Sequence, residues 1–408
     1  MLNTIDLFAG CGGLTEGFKN SKKFNLLGAV EWEERPVSTL RKRLAEAWGY
    51  LDATDKVIHF DIQRTQELIK GFEDDFYGSS VGLDALVGSN KVDVIIGGPP
   101  CQAYSVAGRI RDGNRMQDDY RNYLFESYLE VVSHYKPRAC IFENVPGMLS
   151  SAPGGKLIIE RITQAFDEAG YYISPNLKDD ALFDLSEFGV PQKRKRVIIV
   201  AVSKQFYDDP EKVVRQCYAN LNTLKVGKVS TVNDALGDLP KIYPLQEPEK
   251  RVSHRVEDGS ESKITDHNPR FHNPRDVEIF RLLTEDIESN TNQYTSSEAL
   301  KALYTEKTGK VSSVHKYHVL RRDLPSNTIP AHLYKDGLRH IHPDSEQARS
   351  ITVREAARLQ SFPDDFEFQG ANGDKYKMIG NAVPPLFAEK IATALALTLE
   401  EFKPNNFN

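Results

Sequence analysis

Gly97-Gly98-Pro99-Pro100-Cys101-Gln102 sets one thiol on a stiff turn directly after the apolar run Val92-Asp93-Val94-Ile95-Ile96. Val and Ile ahead of a Gly/Pro break predict a buried strand that delivers its C-terminal tip to a site, and the two prolines fix the backbone where the cysteine is held out. Cys101 therefore reads as a nucleophile, although on the turn alone an ordinary loop with a buried cysteine explains the residues equally well. Phe142-Glu143-Asn144-Val145-Pro146 follows another apolar run and brings a carboxyl to the same edge, where it could donate or share a proton; an acid capping the next segment is the plain alternative. Gln192-Lys193-Arg194-Lys195-Arg196 leads into a further strand whose alternation points Arg194 and Arg196 the same way. Their planar donor arrays suit a carbonyl and phosphates, whereas a solvated basic edge is the simpler reading.

A second constellation suits a nucleoside. Asp6-Leu7-Phe8-Ala9-Gly10-Cys11-Gly12-Gly13-Leu14 closes the first predicted strand with a glycine-rich turn and opens a helix, so backbone can approach a ligand closely. The turn lacks both the GxGxxG spacing of a dinucleotide site and the GxxxxGK[ST] of a P-loop, which favours a nucleoside without polyphosphate. Glu31 ends the second predicted strand, where its carboxylate could accept both ribose hydroxyls, and Trp32 could cover an adenine face. Asp61 ends the third and could accept the adenine amino group. Singly each acid suits a solvated loop; acids at successive strand tips beside a glycine turn form a coherent nucleoside site.

These residues need a sheet to align them. Thr4 to Phe8, Leu26 to Val30, Val57 to Phe60, Val94 to Ile96, Ala139 to Phe142 and Arg196 to Val202 read as strands. Between them, Val37 to Leu44 and Tyr123 to Val132 carry apolar residues at spacings of three and four, as helices packed on a sheet require. The alternation predicts a doubly wound α/β domain. From Ser203 to about Arg349 the chain is richer in His, Asn and Pro with weak periodicity, and reads as a second, smaller, irregular domain; helical patterning returns at Thr352 to Gln360 and from Pro384 to about Leu399. The 408 residues, 40% hydrophobic and 27% charged, suit a large domain with a smaller companion. No run of 18 apolar residues suggests a membrane span, and Met1 to Thr4 leaves no room for a secretory signal, so a cytoplasmic protein is expected. Cys11, Cys101, Cys140 and Cys217 lack metal-ligand spacing and are expected as free thiols, with no metal site. The net charge of −6 argues against a uniformly basic nucleic-acid coat but permits a local basic face.

With those residues in view, the chain resembles the bacterial DNA (cytosine-5) methyltransferases. The blocks DLFAGCGGL, GGPPCQAYSVAG, FENVPG, FGVPQKRKRV, REAARLQSFP and IGNAVPP occur in that family's order, and only Ser203 to about Arg322 lacks a familiar motif. The resemblance implies a Rossmann-like S-adenosylmethionine-dependent catalytic domain over 1–204, a target-recognition domain over 205–375, and a C-terminal helix over 376–408 that completes the first. It implies Phe8, Gly10, Gly12, Leu14, Glu31, Trp32, Asp61, Ile62, Pro99, Asn381 and Val383 around S-adenosylmethionine, and Cys101, Glu143, Arg194 and Arg196 as catalytic. Lys195 stands where an acidic residue is frequent, and Ala107 where some members have serine. The expected partner is double-stranded DNA with one cytosine flipped out of the stack. The protein is expected to act as a monomer, beside a separate cognate restriction endonuclease. Ala107 to Arg115, with glycine hinges and three arginines, is expected as a lid over DNA phosphates. Arg251, His254, Arg255, His267, Asn268, Arg270, His272, Asn273 and Arg275 are expected as base and phosphate readers. A tRNA cytosine methyltransferase, a non-catalytic DNA-binding relative, and a flavin or nicotinamide enzyme are the alternatives.

Overall fold

Buried on both faces, a parallel strand reads as a continuous apolar run rather than an alternating one. Such runs supply the centre of an eight-stranded sheet. The computed structural model describes residues 1–99, 124–152, 155, 157–257, 259, 261–335 and 337–405. The strands are β1 (Leu2–Leu7), β2 (Phe24–Glu31), β3 (Val57–His59), β4 (Val94–Gly97), β5 (Ala139–Asn144), β6 (Tyr171–Tyr172), β7 (Leu182–Asp184) and β8 (Lys195–Ser203). Five run parallel in the order β3-β2-β1-β4-β5. β8 lies antiparallel to β5 and pairs in turn with β6 and β7. From β1 the chain winds outward to β2 and β3, then returns to place β4 on the other side of β1. That reversal opens a crevice at the C-terminal ends of β1 and β4, the position at which open α/β sheets bind ligands.

The helices that close the sheet are chosen by fit. Helix α1 (Gly13–Asn20) follows β1, and helix α2 (Glu34–Glu46) follows β2. The last helix, Pro385–Glu401, buries Phe387, Ala388, Ile391, Ala392, Leu395 and Leu399. Its apolar length is that of a core helix: it packs on α1 and on helix Pro210–Thr223, where Asn220 Nδ2 donates to Thr398 Oγ1 at 3.0 Å. At Gly17 of α1 a Cβ would stand 2.5 Å from both Pro385 O and Glu389 N, so the two helices meet backbone to backbone.

The chain divides into two units: Met1–Gly189, Arg194–Gly227 and Ala382–Asn408 form the first, and Val190–Lys193 with Lys228–Asn381 form the second. These borders differ from a division at 204 and 376 for a physical reason. Helix Pro210–Thr223, capped by Asp209 at 2.9 Å to Lys212 N, belongs to the sheet, because the Tyr218 hydroxyl donates to Ile198 O at 3.0 Å and accepts from Val200 N at 3.1 Å. Val190–Lys193 belongs to the second unit through Lys193 N to Ser326 O at 2.8 Å and Ser326 N to Pro191 O at 3.0 Å.

The second unit is less irregular than its composition suggests. Helices Pro274–Glu288 and Ser297–Thr308 start on the caps Asn273 and Ser296 and bury Ile279, Phe280, Leu283, Leu300 and Leu303 against Tyr317, Val319 and Ile341. Its Asn, Pro and Ser residues are punctuation for helices, which is why the segment looks like loop when read by periodicity alone.

Replacing Gly17 by Ala should destabilise the first unit. The clash is with backbone, which cannot yield as a side chain can, so about 1–3 kcal/mol of overpacking exceeds the helix-propensity gain of about 1 kcal/mol. Denaturant titration of Gly17→Ala against the parent should show a lower midpoint at unchanged slope.

Candidate active site

The turn after β1 is bent hard. Phe8 has φ 58°, Gly10 φ 55° and Gly12 φ 93°, so three of five consecutive residues lie in the left-handed region. For a bulky residue such as Phe8 that conformation is strained, a feature that concentrates at ligand sites. Ala9 N donates to Val30 O at 3.0 Å and ties the turn to β2. A Cβ on Gly13 would lie 2.3 Å from Val383 O, so the backbone of Val383 rests directly on the turn. Gly10 differs: among the described residues nothing lies within 4 Å of where its Cβ would be, so none of them fills its side of the turn.

Glu31 closes the adjoining strand and is buried. Its carboxyl accepts from Gly10 N at 2.8 Å, Trp32 N at 2.9 Å and Glu33 N at 2.8 Å. Burial raises its pKa to about 7 against the pull of those N–H groups. Behind it, Asp6 is fully buried, with Thr15 Oγ1 at 2.5 Å from Oδ2 and, among the described residues, no partner for Oδ1; burial lifts its pKa to about 7 as well. Trp32 is 50% exposed, Ile62 and Leu14 are buried, and Asp61 Oδ1 accepts from Gln63 N at 3.0 Å. Glu31 stands in register with His59, so the tips of β2 and β3 are neighbours. The strained turn with Gly10, the Glu31 carboxyl and the exposed Trp32 thus fit a nucleoside at one sheet edge. Val383 is buried in the same unit. Asn381 ends helix Asn372–Asn381 in the second unit.

The side expected to react is built by β4, β5 and β8. Gly97 pairs with Phe142 in parallel register, which sets Gly98 beside Glu143. A Cβ on Gly97 would lie 2.5 Å from Leu7 O, so glycine is required there, and one on Gly98 would lie 2.7 Å from Glu143 Oε2, so a side chain there would displace that carboxyl. Glu143 is 8% exposed, and Arg196 Nε donates to its Oε1 at 2.7 Å. Pro99 is buried, and Asn144 Nδ2 reaches Pro99 O at 3.5 Å while its Oδ1 accepts from Val145 N at 2.9 Å. Asn144 thereby ties the Gly-Gly-Pro turn to β5, a role its place in the block FENVPG did not reveal. Arg194, expected to act alongside Arg196, is only 1% exposed and donates from Nη2 to Ala382 O at 3.1 Å. It clamps the segment that carries Val383 onto the sheet. Cys101 and the expected lid Ala107 to Arg115 lie outside the described residues.

Sequence comparison decides the family. The profile of the C-5 cytosine-specific DNA methylases matches residues 2–396. The chain belongs to that family. Among its relatives, Type II methyltransferase M.Bpa9945I of Bacillus paralicheniformis is 34% identical over 96% of this chain and 98% of its own length. Type II methyltransferase M.AgeI of Thalassovita gelatinovora is 29% identical over 98% of this chain and 100% of its own. The solved structure of an E. coli prophage protein assigned as a DNA modification methyltransferase covers 98% of this chain and 100% of its own at TM-score 0.60 and 24% identity, a likeness of fold.

Part of the expected reading cluster in this methylase is core instead. His254, His267 and His272 are buried. His254 Nε2 meets Gln347 O at 3.0 Å, His267 Nε2 meets Pro240 O at 3.0 Å, and His272 Nε2 accepts from Ser350 N at 3.2 Å. Burial lowers the pKa of all three, His254 to about 4 and His272 to about 3. Asn273 caps a helix, and Arg270 donates to Leu333 O and Tyr334 O at 3.1 and 3.3 Å. Histidines in a polar stretch look like readers until burial is known. Arg251 and Asn268 remain exposed. Among the described residues no group of three His, Cys, Asp or Glu could hold a metal ion.

Asp6 makes a pH prediction. A carboxyl whose pKa is raised on folding adds stability that is complete below its unfolded value near 4 and is lost as pH rises to about 7. The stability of Asp6→Asn relative to the parent should therefore rise between pH 4 and 7 and level off above, by a few kcal/mol at roughly 1.4 kcal/mol per pKa unit. Thermal melts of both proteins across that range check it; a difference independent of pH would return Asp6 to an ordinary buried polar residue.

Proposed function

We propose that this enzyme methylates carbon 5 of one cytosine within a specific duplex DNA sequence, using S-adenosylmethionine, and that Cys101, Glu143 and Arg196 carry the chemistry. The observation that supports this most is the buried Glu143–Arg196 pair beside Gly98, on the turn that leads into Cys101. S-adenosylmethionine, when bound, supplies an electrophilic methyl group. Phe8, Gly10, Gly12, Leu14, Glu31, Trp32, Asp61, Ile62, Pro99 and Val383 would hold it.

Cytosine carbon 5 is a poor nucleophile while the ring is aromatic. Addition of the Cys101 thiolate to carbon 6 breaks that aromaticity and leaves carbon 5 enamine-like. Glu143 faces ring nitrogen 3 and supplies or shares the proton that stabilises the adduct. Arg196 orients the Glu143 carboxyl through Oε1 and offers its remaining N–H groups to the carbonyl at carbon 2. Once carbon 5 has gained the methyl group, the donor leaving as a neutral thioether, a base takes the carbon 5 proton and the carbon 6–sulfur bond breaks, which restores the aromatic ring and returns the Cys101 thiolate. The target base must leave the stack for this to happen, at a cost of a few kcal/mol. Arg194, held on Ala382 O, serves as a positioning residue for the wall beside the glycine turn. The second unit would read the sequence, and the protein would act in the cytoplasm as a monomer, as the modification half of a restriction-modification pair.

Methyl transfer to duplex DNA and to tRNA, followed with labelled S-adenosylmethionine, tests the reading: duplex DNA should be methylated and tRNA should not. Cys101→Ser should abolish transfer while leaving cofactor affinity near the parent's. Glu143→Gln keeps the shape without the acid and should slow transfer about 10²- to 10⁴-fold; a change in cofactor affinity alone would refute its role. For the second unit, exchanging Lys228 to Arg322 for the same segment of a relative, which leaves helix Pro210–Thr223 on the sheet, should move methylation to that relative's sites. A methylation map of the chimera that still shows the parent's sites would refute the division of labour.

A further inference from the structure

The tips of β2 and β3, which carry Trp32 and Asp61, are each tied to a small hairpin that the mechanism does not use. The hairpin pairs Phe72–Asp74 with Gly78–Ser80. A ribbon this short is not stable in water by itself, so its side-chain attachments decide where it sits.

Asp74 is the centre of those attachments. Its Oδ1 accepts from Phe76 N at 2.8 Å and Tyr77 N at 2.9 Å, which shapes the tip, and its Oδ2 accepts from Arg64 Nη1 at 2.6 Å. Arg64 in turn donates its backbone N–H to the Asp61 carbonyl at 3.1 Å, so the ion pair joins the hairpin to the Asp61 turn. Stacking reinforces the joint: the Arg64 guanidinium lies 4.5 Å over the Phe60 ring, and Phe60 stacks on Phe72 at 3.8 Å. On the other side His59 Nε2 donates to the Trp32 carbonyl at 3.0 Å; a carbonyl only accepts, so Nε2 carries the hydrogen. The His59 ring packs edge-on against Tyr77 at 5.0 Å and lies 6.0 Å from Phe76.

We propose that this hairpin braces the nucleoside end of the cofactor site, with His59 and Asp74 as positioning residues that hold Trp32 and the Asp61 turn. The proposal rests on the assignment of Trp32 and Asp61 to S-adenosylmethionine. Backbone held in place at Trp32 and at Asp61 spares the ligand part of the cost of ordering these two residues, so the brace acts on affinity and leaves the reacting atoms alone. The Arg64–Asp74 pair is half-buried at the surface, where one ion pair contributes modestly to stability, so its main effect is placement.

Calorimetry with S-adenosylmethionine and steady-state methyl transfer to duplex DNA test the brace on the full-length protein. His59→Ala and Asp74→Ala are expected to raise Kd and KM for S-adenosylmethionine about five- to twentyfold, with kcat at saturation within about twofold of the parent. His59→Gln, whose amide N–H can still donate to the Trp32 carbonyl, is expected to stay within about threefold of the parent in Kd. Unchanged affinity in both alanine variants, a fall in kcat without a change in affinity, or equal losses in His59→Gln and His59→Ala would overturn the proposal. Should Asp74→Ala fail to fold, Asp74→Asn, which keeps the Oδ1 acceptor and gives up the charge, takes its place with the same expectation. A folded parent that does not bind S-adenosylmethionine would overturn the cofactor assignment itself, a result distinct from a parent that binds and variants that match it.

Discussion

Two parallel strands with no room between their ends set the geometry of the active site. β4 and β5 run in register with Gly97 opposite Phe142, and one residue later Gly98 has only 2.7 Å from its Cβ position to Glu143 Oε2. The backbone of one strand is thus pressed against the carboxyl of the next. Because Gly98 occupies one side and Arg196 Nε holds Oε1 from β8 at 2.7 Å, the carboxyl has few orientations left. A group held in this way needs little reorganisation when charge shifts next to it, which is what electrostatic preorganisation requires.

Buried acids of the first unit meet different environments and so take different roles. Glu143 is paired with a guanidinium. Glu31 faces backbone N–H groups, and Asp6 has one hydroxyl and an oxygen without a partner among the described residues; burial raises both toward neutral pH. The arrangement places the formal ion pair where bond-making is proposed and hydrogen-bonding carboxyls where a nucleoside is proposed to sit. The strain at Phe8 lies on the turn after β1, the strand that stands between β2 and β4 in the sheet.

The second unit spends its polar residues on its own interior. Arg349 meets Glu355 at 2.7 Å through both terminal nitrogens, and Glu355 also completes the capping box on Thr352. Removing one partner of so buried a pair would leave an uncompensated charge. Gln192 and Gln360 bond each other at 3.0 Å and, through Ile329 N and Ile379 O, bind four segments together. A unit with only a modest apolar core is thereby given one definite shape.

The parallel strands, the glycine turn, the acids at strand tips and the carboxyl near the end of β5 are all legible in the chain itself, because each is a local pattern: an apolar run, a break, and a polar residue at the tip. The order of the blocks carried the family as well. Pairing partners were not legible. Arg194, just before β8, and Arg196, its second residue, share the same alternation, yet one is buried on Ala382 O and the other binds Glu143, since the return of the chain after Asn381 brings a carbonyl to the first and the sheet brings a carboxyl to the second. His254, His267 and His272 look like surface donors until helices and loops distant in sequence cover them. The hairpin at Phe72–Ser80 gave no signal of its own, its function arising from contacts with His59 and Arg64. Local chemistry and strand order are written in the spacing of residues; which atoms meet is decided by long-range packing, where burial, register and excluded volume choose one partner from several that the sequence allows.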